Sequence, residues 1–225
     1  MNVQQMVAEM LRLQDGFNQV VNPQWKQAGY QWARAVWVEC GELMDHFGYK
    51  WWKASSPDAE QCLLEVVDIW HFVMSHELTL ADADQIAKDV SRLLEFAGSS
   101  PKREWTDEER RRCIDRLAMR SAAFAGGDGA SVLVEFWELA DAFGLTLEGL
   151  FTRYIGKNAL NRFRQHNGYK EGRYVKQWQG REDNEVLTEV LQRCLTEGQG
   201  DLLERVLAAL QPIYDRVVAG SASGS

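Results

Sequence analysis

Apolar residues recur at intervals of three and four along nearly the whole chain, and nowhere do they alternate with polar ones through a β-branched run. That pattern predicts an all-α protein: a period near 3.6 gathers apolar positions on one helix face, whereas a half-buried strand needs a period of two. Only Pro23, Pro57, Pro101 and Pro212 interrupt it. The spacing predicts helices over residues 3–20, 30–47, 83–96, 131–143 and 147–165, the first ending before Asn22-Pro23 and the second at Gly48. Ser56-Pro57 predicts an N-cap followed by proline at the first helical position, opening a helix to about residue 78. Thr106 and Glu109 have the spacing of a capping box for a helix reaching about residue 124. Residues 166–184, with Gly168, Gly172 and Gly180 among charges and aromatics, read as a loop, and two last helices follow over 185–195 and 201–218. No repeat or long linker divides the chain. The expectation is one all-α multi-helix bundle over residues 1–219, with a candidate hinge at 126–129 and a disordered, low-complexity tail at 220–225.

Composition narrows the function. The 225 residues carry a formal charge of −8, which opposes general affinity for nucleic acid. No apolar run approaches the roughly 20 residues that span a bilayer. The amphipathic N-terminus carries Glu9 and does not read as a signal peptide. Cys40, Cys62, Cys113 and Cys194 are far apart and inside helical patterns, so they are expected to be buried free thiols of a cytoplasmic protein.

Two acidic pairs stand out, Glu39 with Glu42 and Glu65 with Asp68, each three residues apart and therefore on one helical face. A solvated face would carry Lys and Arg at such spacings. Here the neighbours are instead Val36, Trp37, Val38, Leu43 and Met44, and Leu63, Leu64, Val66, Val67, Ile69 and Trp70. Side by side, the two helices would bring four carboxylates to one place, at a cost of several kcal/mol per ion unless a cation neutralises them. Mg²⁺ or Mn²⁺, which prefer hard oxygen ligands, suit that role. A third group, Glu135, Glu138 and Asp141, has no basic segment behind it and reads as structural. His71 follows Asp68 by three, as in the Glu-x-x-His pairs of di-iron bundles, but no second such pair exists. His71 is expected to hydrogen-bond a ligand or to be a satisfied core residue, with His46 a weaker candidate.

Between Arg153 and Arg181 lies a basic stretch in an otherwise acidic protein. Lys157, Asn161 and Arg164 share a helical face, and Tyr169, Tyr174 and Trp178 are interleaved with Lys170, Arg173 and Lys176. Solvation or ion pairing would account for it equally well as the grip on a polyphosphate. Taken together, the acids and the basic stretch fit hydrolysis of a nucleoside polyphosphate by a water attacking phosphorus. The residues do not name the base.

The chain resembles the dimeric, all-α dUTP diphosphatases. The likeness is carried by Glu39-x-x-Glu42, the run from Tyr49 to Lys53, Glu65-x-x-Asp68-Ile69-Trp70-His71-Phe72, the segment from Tyr154 to Tyr174 continuing to Glu182-Asp183-Asn184, and Leu13-Gln14 with Asn18. The resemblance implies a homodimer with active sites near the subunit interface, converting dUTP, and dUDP as well, to dUMP, with attack at the β phosphorus of dUTP. It implies Mg²⁺ on Glu39, Glu42, Glu65 and Asp68, with Glu39 also holding the attacking water. It places uracil against Gln14, Asn18, Trp52 and His71, and the sugar and phosphates against Lys157, Asn158, Asn161, Arg164, Tyr169, Lys170 and Lys176. The alternatives are a MazG-type pyrophosphohydrolase with another base preference, a non-enzymatic helical interaction protein, and a carboxylate-bridged iron protein.

Overall fold

The structure, a computed structural model, describes residues 1–54, 56–98, 103–124 and 131–222. The candidate hinge at 126–129 lies outside the described residues. In chain order the elements are α1 (Val3–Val21), α2 (Trp32–Phe47), α3 (Ala59–Leu80), α4 (Ala83–Gly98), α5 (Asp107–Phe124), α6 (Leu133–Ala142), α7 (Leu147–His166), β1 (Gln177–Trp178), β2 (Arg181–Glu182), α8 (Asp183–Glu197) and α9 (Leu202–Ala222). The all-α expectation is met. Among the described residues the only sheet is the two-residue antiparallel hairpin of β1 and β2. The chain divides into two compact units, Met1–Phe151 and Thr152–Ser225. No helix among the described residues is long and apolar enough to cross a membrane.

The first unit is built around α3, which packs against α1, α2, α4 and α6. Val66, Val67, Ile69, Trp70, Val73 and Met74 point to different sides of this helix, yet all are fully buried. A helix with buried apolar residues on more than one side has to be largely internal. Trp70 stacks on Phe136 of α6 with ring centres 4.5 Å apart and meets Trp137 edge-on at 5.4 Å. The consequence for function is direct: Glu65, His71, Ser75 and Glu77 of α3 are buried with the apolar side chains, so each needs a partner. Alongside α3, α2 also packs on α5, and α1 on α4.

The helix ends mostly follow the sequence. The Thr106–Glu109 capping box forms, with Thr106 N donating to Glu109 Oε2 (2.9 Å) and Glu109 N donating to Thr106 Oγ1 (3.3 Å). α2 stops at Gly48, whose φ of 84° suits glycine. The cap of α3 differs from the Ser56 expectation: Asp58 accepts from Gln61 N at 3.1 Å, so Pro57 precedes the cap instead of opening the helix. At α6 the cap comes from another helix. Glu77 of α3, nearly inaccessible, accepts from Val132 N at 2.9 Å and also bonds the side chain of Ser131. Burial raises the Glu77 carboxyl above its usual range, and these hydrogen bonds draw it partly back.

Glu135, Glu138 and Asp141 are structural, as expected: Glu138 pairs with Arg116, Glu135 lies 3.7 Å from Arg120, and Asp141 accepts from Trp105 Nε1 at 2.9 Å. All four cysteines are buried and free.

The second unit has its own core, in which Phe163 of α7 and Trp178 of β1 pack with Val186, Val190, Leu210 and Tyr214 of α8 and α9. At Gly156 a Cβ would come within 2.9 Å of the Leu191 side chain, so glycine lets α7 lie this close to α8. The stretch read as a loop to residue 184 is more ordered than expected. Gln179 (φ 54°) and Gly180 (φ 84°) form the left-handed pair that a two-residue hairpin turn requires. α8 then begins at Asp183 and not at 185. α9 runs to Ala222, three residues into the expected tail, and residues 223–225 lie outside the description.

Candidate active site

α2 and α3 run side by side, which brings Glu39 and Glu42 against Glu65. Each offers a carboxylate oxygen, and these oxygens lie within 4.8 Å of one another. Glu65 is buried, Glu39 partly so, and Glu42 faces solvent. The electrostatic strain collects on Glu39, whose carboxyl is pushed up to about 8 by burial first, then by the charges of Asp68, Glu42 and Glu65, and by a hydrogen bond with Glu65. Asp68 stands outside the trio of oxygens, but its charge is the largest of those acting on Glu39. His46 Nε2 lies 3.6 Å from Glu65 Oε1 at the rim. An open cleft of about 490 Å³ runs past Glu42, His46, Tyr49 and Lys50.

This donor set fits a divalent cation. Its ligands are hard oxygens, close enough to share one ion, and a cation among them would offset both the burial and the neighbouring charges that raise Glu39.

Further along α3 the polar positions meet α1. Gln14 and Asn18, one turn apart on α1, are both buried, as are His71 and Ser75. Gln14 Oε1 lies 2.7 Å from His71 Nδ1, and Gln14 Nε2 donates to Asn18 Oδ1 and Ser75 Oγ, each at 3.0 Å. Asn18 Nδ2 donates to Ser75 Oγ at 3.0 Å, and that hydroxyl donates to the His71 carbonyl at 2.9 Å. Three of the four residues assigned to uracil thus form one network, and Ser75, a serine without a sequence motif, joins them. Trp52 is elsewhere, in the connection between α2 and α3, 60% exposed and edge-on to Tyr49 and Trp51.

In the second unit the basic residues are largely held by one another's partners. Arg164 makes a two-pronged ion pair with fully buried Asp183, Nε to Oδ2 at 2.8 Å and a terminal nitrogen to Oδ1 at 2.7 Å. Its other terminal nitrogen donates to Asn161 Oδ1 at 3.2 Å. Lys157 Nζ donates to Asn184 Oδ1 at 3.1 Å, and Arg164 reaches the same oxygen at 3.3 Å. Tyr174 donates to Asp183 Oδ2 at 2.7 Å; burial and then the Asp183 charge raise its phenol well above the usual range. Asn158 is fully buried, bonded to Tyr154 (3.1 Å) and Arg162 (2.7 Å). Tyr169 and Lys170 are exposed, the Tyr169 ring centre 5.9 Å from the Arg164 guanidinium, and Lys176 lies 3.7 Å from Glu182. Asp183, Asn184 and Tyr174 organise this group. The sequence signal for the first was an acid at a helix start, where the dipole favours it.

A family model described as dUTPase matches residues 6–169. The chain belongs to the dUTPase family. Its reaction is therefore hydrolysis of dUTP, as the resemblance implied. No curated protein matches the chain. The dUTPase match covers the acidic trio, Asp68 and the Gln14–Asn18–Ser75–His71 network, and it ends at Tyr169. Lys170, Lys176, Asp183 and Asn184 lie beyond it.

Proposed function

We propose that this dUTPase hydrolyses dUTP, and dUDP, to dUMP in a Mg²⁺-dependent reaction, with Mn²⁺ as substitute. The observation that carries the reading is the convergence of Glu39, Glu42 and Glu65 beside Asp68, with Glu39 driven up to about 8. These four would hold the metal, which supplies positive charge to the phosphates and to the charge that develops at phosphorus. Glu39, ionised, orients the attacking water through a carboxylate oxygen and takes its proton. A cation among the carboxylates would favour that ionised form, since it relieves the burial and repulsion that raise Glu39 in its absence. Gln14, Asn18 and His71 read the uracil edge, and the exposed Trp52 indole is available to stack on the base. Lys157, Asn158, Asn161, Arg164, Tyr169, Lys170 and Lys176 serve the sugar and phosphates. Among them Arg164 and Lys157 are pre-organised by Asp183 and Asn184, which keeps their donors in place before substrate arrives. The working unit is a homodimer, and the four buried free thiols support a reducing, cytoplasmic setting.

Turnover of a deoxynucleoside triphosphate panel with Mg²⁺, and again after chelation, tests the reading. The expected result is strong preference for dUTP, lost with the metal. Preference for another base would give the site to a MazG-type pyrophosphohydrolase, and full activity after thorough chelation would remove the metal assignment.

A further inference from the structure

Ser75 is fully buried on α3, and all the hydrogen bonds of its hydroxyl stay within the Gln14–Asn18–His71 network. A hydroxyl has one hydrogen. Here it goes to the His71 carbonyl, so only lone pairs face α1, and both amides must turn their NH₂ groups towards Ser75. The second NH₂ hydrogen of Gln14 goes to Asn18 Oδ1. Gln14 Oε1 is thereby left facing His71 Nδ1 at 2.7 Å. An amide oxygen accepts and cannot donate, so Nδ1 must carry the hydrogen. A neutral imidazole protonated at Nδ1 has its lone pair at Nε2.

We propose that Ser75 is a positioning residue for base selection: it fixes the amide orientations of Gln14 and Asn18, and through Gln14 the Nδ1–H tautomer of His71, so that His71 Nε2 meets the base as an acceptor. The inference rests on the proposed assignment of Gln14, Asn18 and His71 to uracil. Uracil has a ring N–H between two carbonyls. Cytosine has a bare ring nitrogen at that place and an exocyclic amine beside it. An acceptor at Nε2 bonds the first and opposes a lone pair on the second. Without Ser75, either amide could turn over and exchange its donor and acceptor ends at little cost, and the histidine tautomer would no longer be set.

Two measurements decide it. Nitrogen-15 NMR of histidine-labelled wild-type protein, without substrate, is expected to show a protonated, pyrrole-like Nδ1 and a pyridine-like Nε2 for His71; the opposite tautomer overturns the proposal, and this reading needs no variant to fold. For Ser75→Ala, the ratio of kcat/KM for dUTP to that for dCTP is expected to fall roughly tenfold, carried more by KM than by kcat, with the His71 signals moving towards a tautomer mixture. A ratio within about twofold of wild type would sink the Ser75 role, since a lost buried hydrogen bond costs more than that. His71→Ala separates the two failures. If it abolishes the dUTP preference while Ser75→Ala does not, the base pocket stands and Ser75 is not its organiser. If His71→Ala also keeps the preference, the pocket assignment itself is wrong.

Discussion

Glu39 of α2 and Glu65 of α3 share a hydrogen bond between their side chains. Two carboxyl groups can do this only while one of them holds a proton. Burial, then the charges of Asp68, Glu42 and Glu65, push the Glu39 carboxyl up to about 8, so the pair holds a proton at neutral pH when no cation is present. A metal arriving among these oxygens must displace it.

Metal binding is therefore expected to release about one proton per site near pH 7 and progressively less above pH 8. Titration calorimetry with Mg²⁺ in buffers of differing ionisation enthalpy reads this directly. Identical apparent enthalpies in all buffers would contradict it.

The same shift makes the metal-free protein sensitive to alkali. The folded value at Glu39 lies above the ordinary 4.5, so between 4.5 and 8 the folded state keeps a proton that the unfolded state has lost. Stability in chelator should thus decline as pH rises through that window and level off above it. Glu39→Gln should flatten the decline and be more stable than wild type at pH 9, on the order of 2 kcal/mol once solvent screening is allowed for. The same variant should lose about 10²–10⁴-fold in kcat with metal present. Urea titrations at pH 5, 7 and 9 check the first statement, steady-state kinetics the second.

Removing Asp183 strands the buried end of Arg164. Asp183→Ala should cost about 3–5 kcal/mol, because the guanidinium is left without its buried counter-charge. Replacing both as Arg164→Met with Asp183→Leu should recover much of that stability while activity stays low. Thermal melts of the single and double variants, with kinetics on the double, test the claim; additive losses would refute it.

Glu77 acts on α6 through an acceptor oxygen and not through its charge. Glu77→Ala should destabilise by about 1–2 kcal/mol, as lost caps do, whereas Glu77→Gln keeps an oxygen for Val132 N and should cost little at neutral pH. Equal losses in the two variants, measured by denaturant unfolding, would show that charge matters after all.

The acids of the site were legible because their neighbours are apolar, a context that a solvated acidic face does not have. Gln14 and Asn18 were legible only through a resemblance, since a lone amide on an apolar helix has no spacing of its own, whereas His71 stood out by its spacing from Asp68 and took its place at the base from the resemblance. Ser75 left no mark at all: a serine inside a long helix is unremarkable until α1 is laid across it. Glu77 was silent for a related reason, since it acts on a residue 55 positions away, and Asp183 showed only as an acid near a helix start, with its partner Arg164 19 positions away. The hairpin at 177–182 was missed because Gln179 occupies a left-handed position that usually announces itself as Asn or Gly. The boundary between residues 151 and 152 falls inside α7, where helical periodicity continues without a break.

One feature of α3 sets a scale for the ligand. Glu65 and Ser75 are ten residues apart on one unbroken helix, so at about 1.5 Å per residue the acidic end and the amide end are held some 15 Å from each other. The helix is a ruler whose marks cannot slide. On the proposed reading, a molecule that touches both must have a nucleotide's length, with phosphates at one mark and a base at the other. Inserting a single residue between them would swing one mark about 100° around the axis, so selection by length and selection by base would fail in the same stroke.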